Sequence, residues 1–183
     1  DEIIVSTGAT YDDEIDLACN ILEGINFSLL HCVTLYPTPL DQVHLSRMDF
    51  LRRKTPNVGF SDHSLVSESG LIASKAALAM GAILIERHFT LLERDQTKDG
   101  PVSINPQEMA ELAEFACLSI EDRVKRLDLE SPNWRVTIGQ HDRKLSAQEL
   151  LNRGYYRGRF ASPRPESKNG SRMIFNWEET KLS

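Results

Sequence analysis

The stretch VGFSDHSLVSESGLIASKAALAMGAILIERHFT, from Val58 to Thr90, decides the fold. It opens on a short apolar run, Val58 to Phe60, and passes at once into the polar Ser61-Asp62-His63. From Leu65 to Met80 the register of Leu71, Ile72 and Lys75 to Leu78 is helical and Ala-rich, and Gly81 supplies a C-terminal stop. Ala82 to Phe89 then returns to a strand-like run. Strand, helix and strand in one short stretch make a βαβ unit, whose two strands run parallel.

The same phrase repeats on either side. Glu2 to Ser6 is a β-branched run ending at Thr7-Gly8, and Tyr11 to Leu22 places Ile15, Ala18, Cys19 and Leu22 at helical steps. Phe27 to Cys32 is apolar, a Pro-rich loop follows, and His44 to Lys54 carries Leu45, Met48, Phe50 and Leu51 on a polar background. After the fourth strand, Pro106 to Leu127 reads as one helix. Four strands alternating with four helices predict a parallel α/β sheet. No Gly-x-Gly-x-x-Gly or Walker-type loop opens a helix, so the expectation is half of a TIM (β/α)8 barrel rather than a nucleotide-binding doubly wound sheet. A half barrel has two open edges, to be covered by the absent half, a partner chain or the tail.

Beyond Asp128 the pattern changes, which divides the chain into a half barrel over 1–128 and an appendage over 129–183. The appendage holds a linker, a short helix from Leu145 to Leu151 capped near Ser146, and two strand-like runs, YYRGRFA and RMIFNWEE, that read as a hairpin. Between them Ser162 to Ser171 is polar and rich in Pro, Gly and Ser, as mobile loops are.

With 183 residues and 40% hydrophobic composition the chain can bury one sizeable core. Its 21 basic and 27 acidic residues leave a net charge of -6, which lacks the footprint of a nucleic-acid binder. No apolar run reaches membrane-spanning length, and the opening DEIIVSTGAT has no export signal, so a cytoplasmic protein without membrane contact is expected. The chain enters a strand at once, without Met, as an excerpt of a longer protein would. Cys19, Cys32 and Cys117 are scattered through apolar segments and read as reduced core residues.

In a parallel barrel the reactive groups gather where strands end. Four polar clusters fall there: Ser6-Thr7, His31 with Thr34 and Tyr36, Ser61-Asp62-His63, and Glu86-Arg87-His88. Neighbouring strands lie about 4.8 Å apart, so His63 and His88 can reach one divalent ion, and hydrogen-bonded structural histidines are the alternative. Two-residue alternation brings Glu86 to the face of His88, either to orient a ligand or to form an ion pair. Ser6, Thr34 and Ser61 suit a phosphate or carboxylate held by neutral donors, while Tyr36, between prolines, forms a wall or simply stiffens its loop.

Taken together, STGAT, LLHCVTLYPTP, VGFSDHS, GAILIERHFT and KDGPVSINPQEM resemble, in order and spacing, the second half of the N-acetylneuraminate (sialic acid) synthase family. The resemblance covers roughly residues 1 to 127. It implies condensation of phosphoenolpyruvate with an open-chain N-acyl hexosamine such as N-acetylmannosamine, with phosphate released and a divalent metal, usually Mn²⁺, polarising the aldehyde. It also implies that His63 and His88 bind the metal, that Ser6 and Ser61 lie near the phosphate, that Tyr36 lines the sugar site, and that the enzyme is a homodimer. Two departures bear on substrate choice. Thr34 stands where the family has Asn, and Gly100-Pro101-Val102 replaces Gly-Pro-Asp, leaving Asp99 or Asp95 to supply the carboxylate. The family's phosphoenolpyruvate-gripping lysines would precede residue 1, so the segment alone is expected to be inactive. Arg157 and Arg159 are candidates for an arginine lent to a partner's site. A metal-assisted aldolase or isomerase and a non-catalytic sugar-binding module are the rival readings.

Overall fold

The computed structural model describes residues 1–156, 159–163 and 173–177. Strands β1 (Ile3–Ser6), β2 (Phe27–Cys32), β3 (Val58–Asp62) and β4 (Ile85–Arg87) form one sheet in the order β1-β2-β3-β4, every pair parallel. Helices α1 (Asp12–Ile21), α2 (Arg47–Arg52), α3 (Val66–Ser69), α4 (Ile72–Ala79), α5 (Pro106–Ala116), α6 (Ile120–Glu130) and α7 (Ala147–Tyr156) follow the strands. The result is a parallel-stranded α/β half-barrel.

Strand parity gives the sheet two unlike faces. Leu29, Val58 and Phe60 point to the helices, where they join Met48, Leu51, Ala76, Ala77, Leu112 and Phe115 in one core. Ser6, Cys32, Ser61 and Glu86 share the opposite, inner face, which is open at its ends: Ile4 is 48% exposed. Among the described residues nothing pairs with the outer edges of β1 and β4. Strands β5 (Arg159–Pro163) and β6 (Met173–Trp177) pair antiparallel in a separate two-stranded sheet, so they do not cover those edges by pairing.

Several expected elements are divided. The helix expected over 65–80 breaks at Gly70, whose φ of 55° ends α3 before α4 begins. The helix expected over 106–127 breaks where Ser119 caps α6 by accepting from the Asp122 amide, a start signal hidden in a continuous apolar register. The fourth strand is shorter than expected, and Phe89 makes only an isolated bridge to Ile104.

The last helix begins as the sequence suggests. Ser146 Oγ accepts from the Glu149 amide at 3.2 Å, and the Glu149 carboxylate accepts from the Ser146 amide at 3.0 Å, a reciprocal cap. It then runs on through Tyr156, so Tyr155 and Tyr156 are helical rather than part of the expected strand. Residues 129–153 lie on the half-barrel. Trp134 is buried in the common core, and the amides of Leu45 and Ser46 donate to the carbonyls of Thr137 and Ile138. Arg153 donates to both Glu14 oxygens, at 2.8 and 2.6 Å, and to the Ala9 carbonyl at 2.7 Å. Residues 164–171 of the expected loop, and Arg157, lie outside the described residues, as does the Arg159 side chain.

Candidate active site

The ends of β2, β3 and β4 bring His63, His88 and Tyr36 together. The two imidazole centroids are 5.3 Å apart, and the Tyr36 ring stands 4.2 Å from His63 and 6.1 Å from His88. Parallel pairing dictates this: Ser61 is in register with Glu86, so residues two further along each strand, His63 and His88, emerge side by side. His63 is buried and its pKa falls to about 4, mainly by desolvation and then by the charge of neighbouring His88. It is therefore neutral at physiological pH, as a metal-binding imidazole must be.

Below the histidines the inner face is lined by hydroxyls and one thiol. The hydroxyls of Ser6 and Ser61 both approach Cys32 Sγ, which lies 3.9 Å from His63 Nδ1. Burial pushes the Cys32 thiol up to about 11, so it stays protonated. Cys32 reads as a core residue in the sequence. Only register places it at the centre of the site, because its apolar neighbours Leu29, Leu30 and Val33 mask it.

Ser61 Oγ donates to Glu86 Oε1 at 2.6 Å. Glu86 thus orients a serine rather than a histidine, and among the described residues it forms no ion pair. Thr34 Oγ1 is buried with no hydrogen-bond partner among the described residues, the condition of a group awaiting one. Asp99 Oδ2 lies 4.0 Å from His88 Nδ1, on an exposed turn beside the histidine pair.

Asp62 and Arg87 face away from the site, as parity requires. Their side chains are buried and form an ion pair, which Ser74 Oγ joins at 2.5 Å from Asp62 Oδ2. Arg87 also reaches the carbonyls of Ser64 and Val102, and the Ser64 amide donates to Asp62 Oδ1 at 2.8 Å. This network fixes the residues next to His63 and His88 and with them the spacing of the pair. Arg94 is likewise engaged, by Glu108.

The donor set suits a divalent ion in part. Two imidazoles stand side by side, with Cys32 near Nδ1 of His63 and Asp99 near Nδ1 of His88. Among the described residues no group of three or more His, Cys, Asp or Glu is assembled to hold an ion, so the remaining positions would fall to substrate and water. On the far side of Tyr36 a cleft of about 470 Å³ runs between the Leu35–Pro39 loop and Gln148, Leu151 and Asn152 of α7. No described helix is long and apolar enough to cross a membrane.

Known proteins match this architecture. N,N'-diacetyllegionaminic acid synthase of Campylobacter jejuni is 40% identical over 114 residues, which is 59% of this chain and 33% of that protein. The crystal structure of the spore coat polysaccharide biosynthesis protein SpsE of Bacillus subtilis superimposes with a TM-score of 0.68 at 28% identity, covering 94% of this chain and 50% of that one. An N-acetylneuraminic acid synthetase from Leptospira borgpetersenii serovar Hardjo-bovis superimposes with a TM-score of 0.57 at 31% identity, covering 83% and 48%. The chain thus spans a third to a half of the length of these relatives. The NeuB family model matches residues 1–121, and the chain belongs to the NeuB family.

Proposed function

We propose that this chain is the metal-binding, C-terminal half of a (β/α)8 barrel that condenses phosphoenolpyruvate with an N-acyl hexosamine to give a sialic-acid-like nonulosonic acid. The observation that carries the reading is the His63–His88 pair, 5.3 Å apart at the ends of adjacent parallel strands with Tyr36 against it, in a member of this family. The barrel reading draws support from the two unpaired sheet edges, the open inner face and relatives about twice as long. A homodimer rests on the family likeness alone.

His63 and His88 would hold the divalent metal, Mn²⁺ in the family. When bound, such an ion supplies Lewis acidity toward the sugar aldehyde. Cys32 lies against His63 Nδ1, which would leave Nε2 as the coordinating nitrogen. Ser6, Ser61 and Thr34 present hydroxyls toward the inner face for the anionic co-substrate, with Thr34 Oγ1 the one that lacks a partner. Because Ser61 donates to Glu86, phosphate recognition there requires the hydroxyl to turn, and Glu86 sets which way it rests. Tyr36 walls the sugar side and excludes water from the histidines. Asp99 stands near His88, where it can accept from a sugar hydroxyl in place of the carboxylate lost at Val102.

The test is inorganic phosphate release by the full gene product with phosphoenolpyruvate, Mn²⁺ and a panel of N-acyl hexosamines, beside His63→Ala and His88→Ala. Chelator-sensitive release with one sugar, abolished in both variants, is expected. Release that survives both substitutions, or none with any sugar from a folded Mn²⁺-binding protein, overturns the reading.

A further inference from the structure

A well-enclosed cavity lies away from the histidine pair. It measures about 400 Å³ and lies between the loop after β1, the start of α2 and the segment 143–150 that folds over them. That volume is in the range of small-molecule sites. Cationic groups predominate in its wall: Arg47, Arg143 and Lys144 against a single acid, Asp12. Arg47 pairs with Asp12, and Arg143 is held fork-to-fork by the buried Glu149 at 2.7 and 2.8 Å. Lys144 has no ion-pair partner among the described residues, so the cavity keeps one net positive charge.

His31 adds a second, independent feature. It is 1% exposed, lines the cavity, and its Nε2 lies 2.7 Å from the Val43 carbonyl. A carbonyl only accepts, so Nε2 carries the proton and Nδ1 is a bare acceptor. No partner for Nδ1 exists among the described residues. Because His31 lines the cavity, an occupant that carries a donor can match this acceptor. Ile15 and Leu145 complete the wall with apolar surface.

We infer that this cavity is a second ligand site, distinct from the histidine pair, for a small monoanion that also carries a hydroxyl. The anionic group lies on Lys144 and the outer edges of Arg47 and Arg143, and the hydroxyl donates toward His31. A carboxylate and a phosphate monoester share this chemistry. The site exists only while 143–150 is seated on the half-barrel, so an occupant holds that segment down. It also abuts the catalytic centre, because Cys32, in its wall, touches His63. The sequence gives no hint of it, since Arg47 and Lys144 are far apart in the chain.

Calorimetric titration of the full gene product with lactate, glycerol 3-phosphate and acetate tests this, in the wild type, Arg47→Gln, Lys144→Ala and His63→Ala. One of the two hydroxylated anions should bind with a Kd below about 1 mM and more tightly than acetate. Which one binds tells carboxylate from phosphate. That binding should weaken about tenfold in Arg47→Gln and Lys144→Ala and be unchanged in His63→Ala. Should Arg47→Gln fail to fold, Lys144→Ala, at an exposed position, carries the test alone. Absence of millimolar binding by either anion, or binding lost in His63→Ala but retained in the lysine variant, overturns the proposal.

Discussion

Cys32 Sγ sits 3.9 Å from His63 Nδ1. A metal-binding imidazole coordinates through one nitrogen while the other is steered by a neighbour, and in the proposed metal site a thiol takes the steering position. Cys32→Ala should therefore weaken Mn²⁺ binding by about tenfold, with Cys32→Ser, which keeps a hydrogen-bonding atom, in between. Mn²⁺ titration followed by electron paramagnetic resonance checks it. Equal affinity in all three proteins would remove Cys32 from the site.

The buried pair of Asp62 and Arg87 offers a test of position rather than chemistry. Removing one partner leaves a buried charge uncompensated, so Arg87→Met should destabilise the fold by about 3–5 kcal/mol in urea denaturation. The double change Asp62→Leu with Arg87→Met should recover much of that loss. Recovered stability with persistently poor Mn²⁺ binding would show that the pair sets the histidine spacing.

His31 makes stability depend on pH. Burial lowers its pKa to about 3, below the 6.5 of an exposed imidazole. Between those values the unfolded chain binds a proton that the folded one refuses, so stability rises with pH through that window and is lost as pH falls below 6.5. The urea midpoint in the presence of a chelator should fall from pH 7 to pH 5. His31→Gln, which keeps a donor for Val43, should flatten that slope. An unchanged slope would assign the effect to other groups.

Gly100 packs where no side chain fits, since an added Cβ would lie 1.9 Å from the Arg94 carbonyl oxygen. Gly100→Ala should open the 94–100 turn and displace Asp99 from His88. Weaker sugar saturation at near-normal Mn²⁺ affinity is the expected result, read as a raised KM for the sugar in the phosphate-release assay.

The alternation of apolar strands with amphipathic segments made the parallel sheet legible, because periodicity is local and parallel pairing follows from the crossover. Leu29 and Phe60 announce their burial by composition alone. Ser119 and Gly70 were less visible as helix breaks, since a cap competes with an apolar register that runs straight through it. His63 and His88 stood out as strand-end histidines, whereas Cys32, lost among apolar neighbours, did not.

The linear chain determined which segments become strands, which face of each meets the helices, and that two histidines end adjacent strands. Tertiary structure decided the rest. That Glu86 holds Ser61, that Asp62 meets Arg87 on the far face, and that Lys144 shares a cavity with Arg47 all depend on register and on the return of 143–153 across the sheet. Hydrophobic periodicity is written residue by residue, but a polar contact depends on distances between segments that are remote in sequence, and those are fixed only when the segments pack.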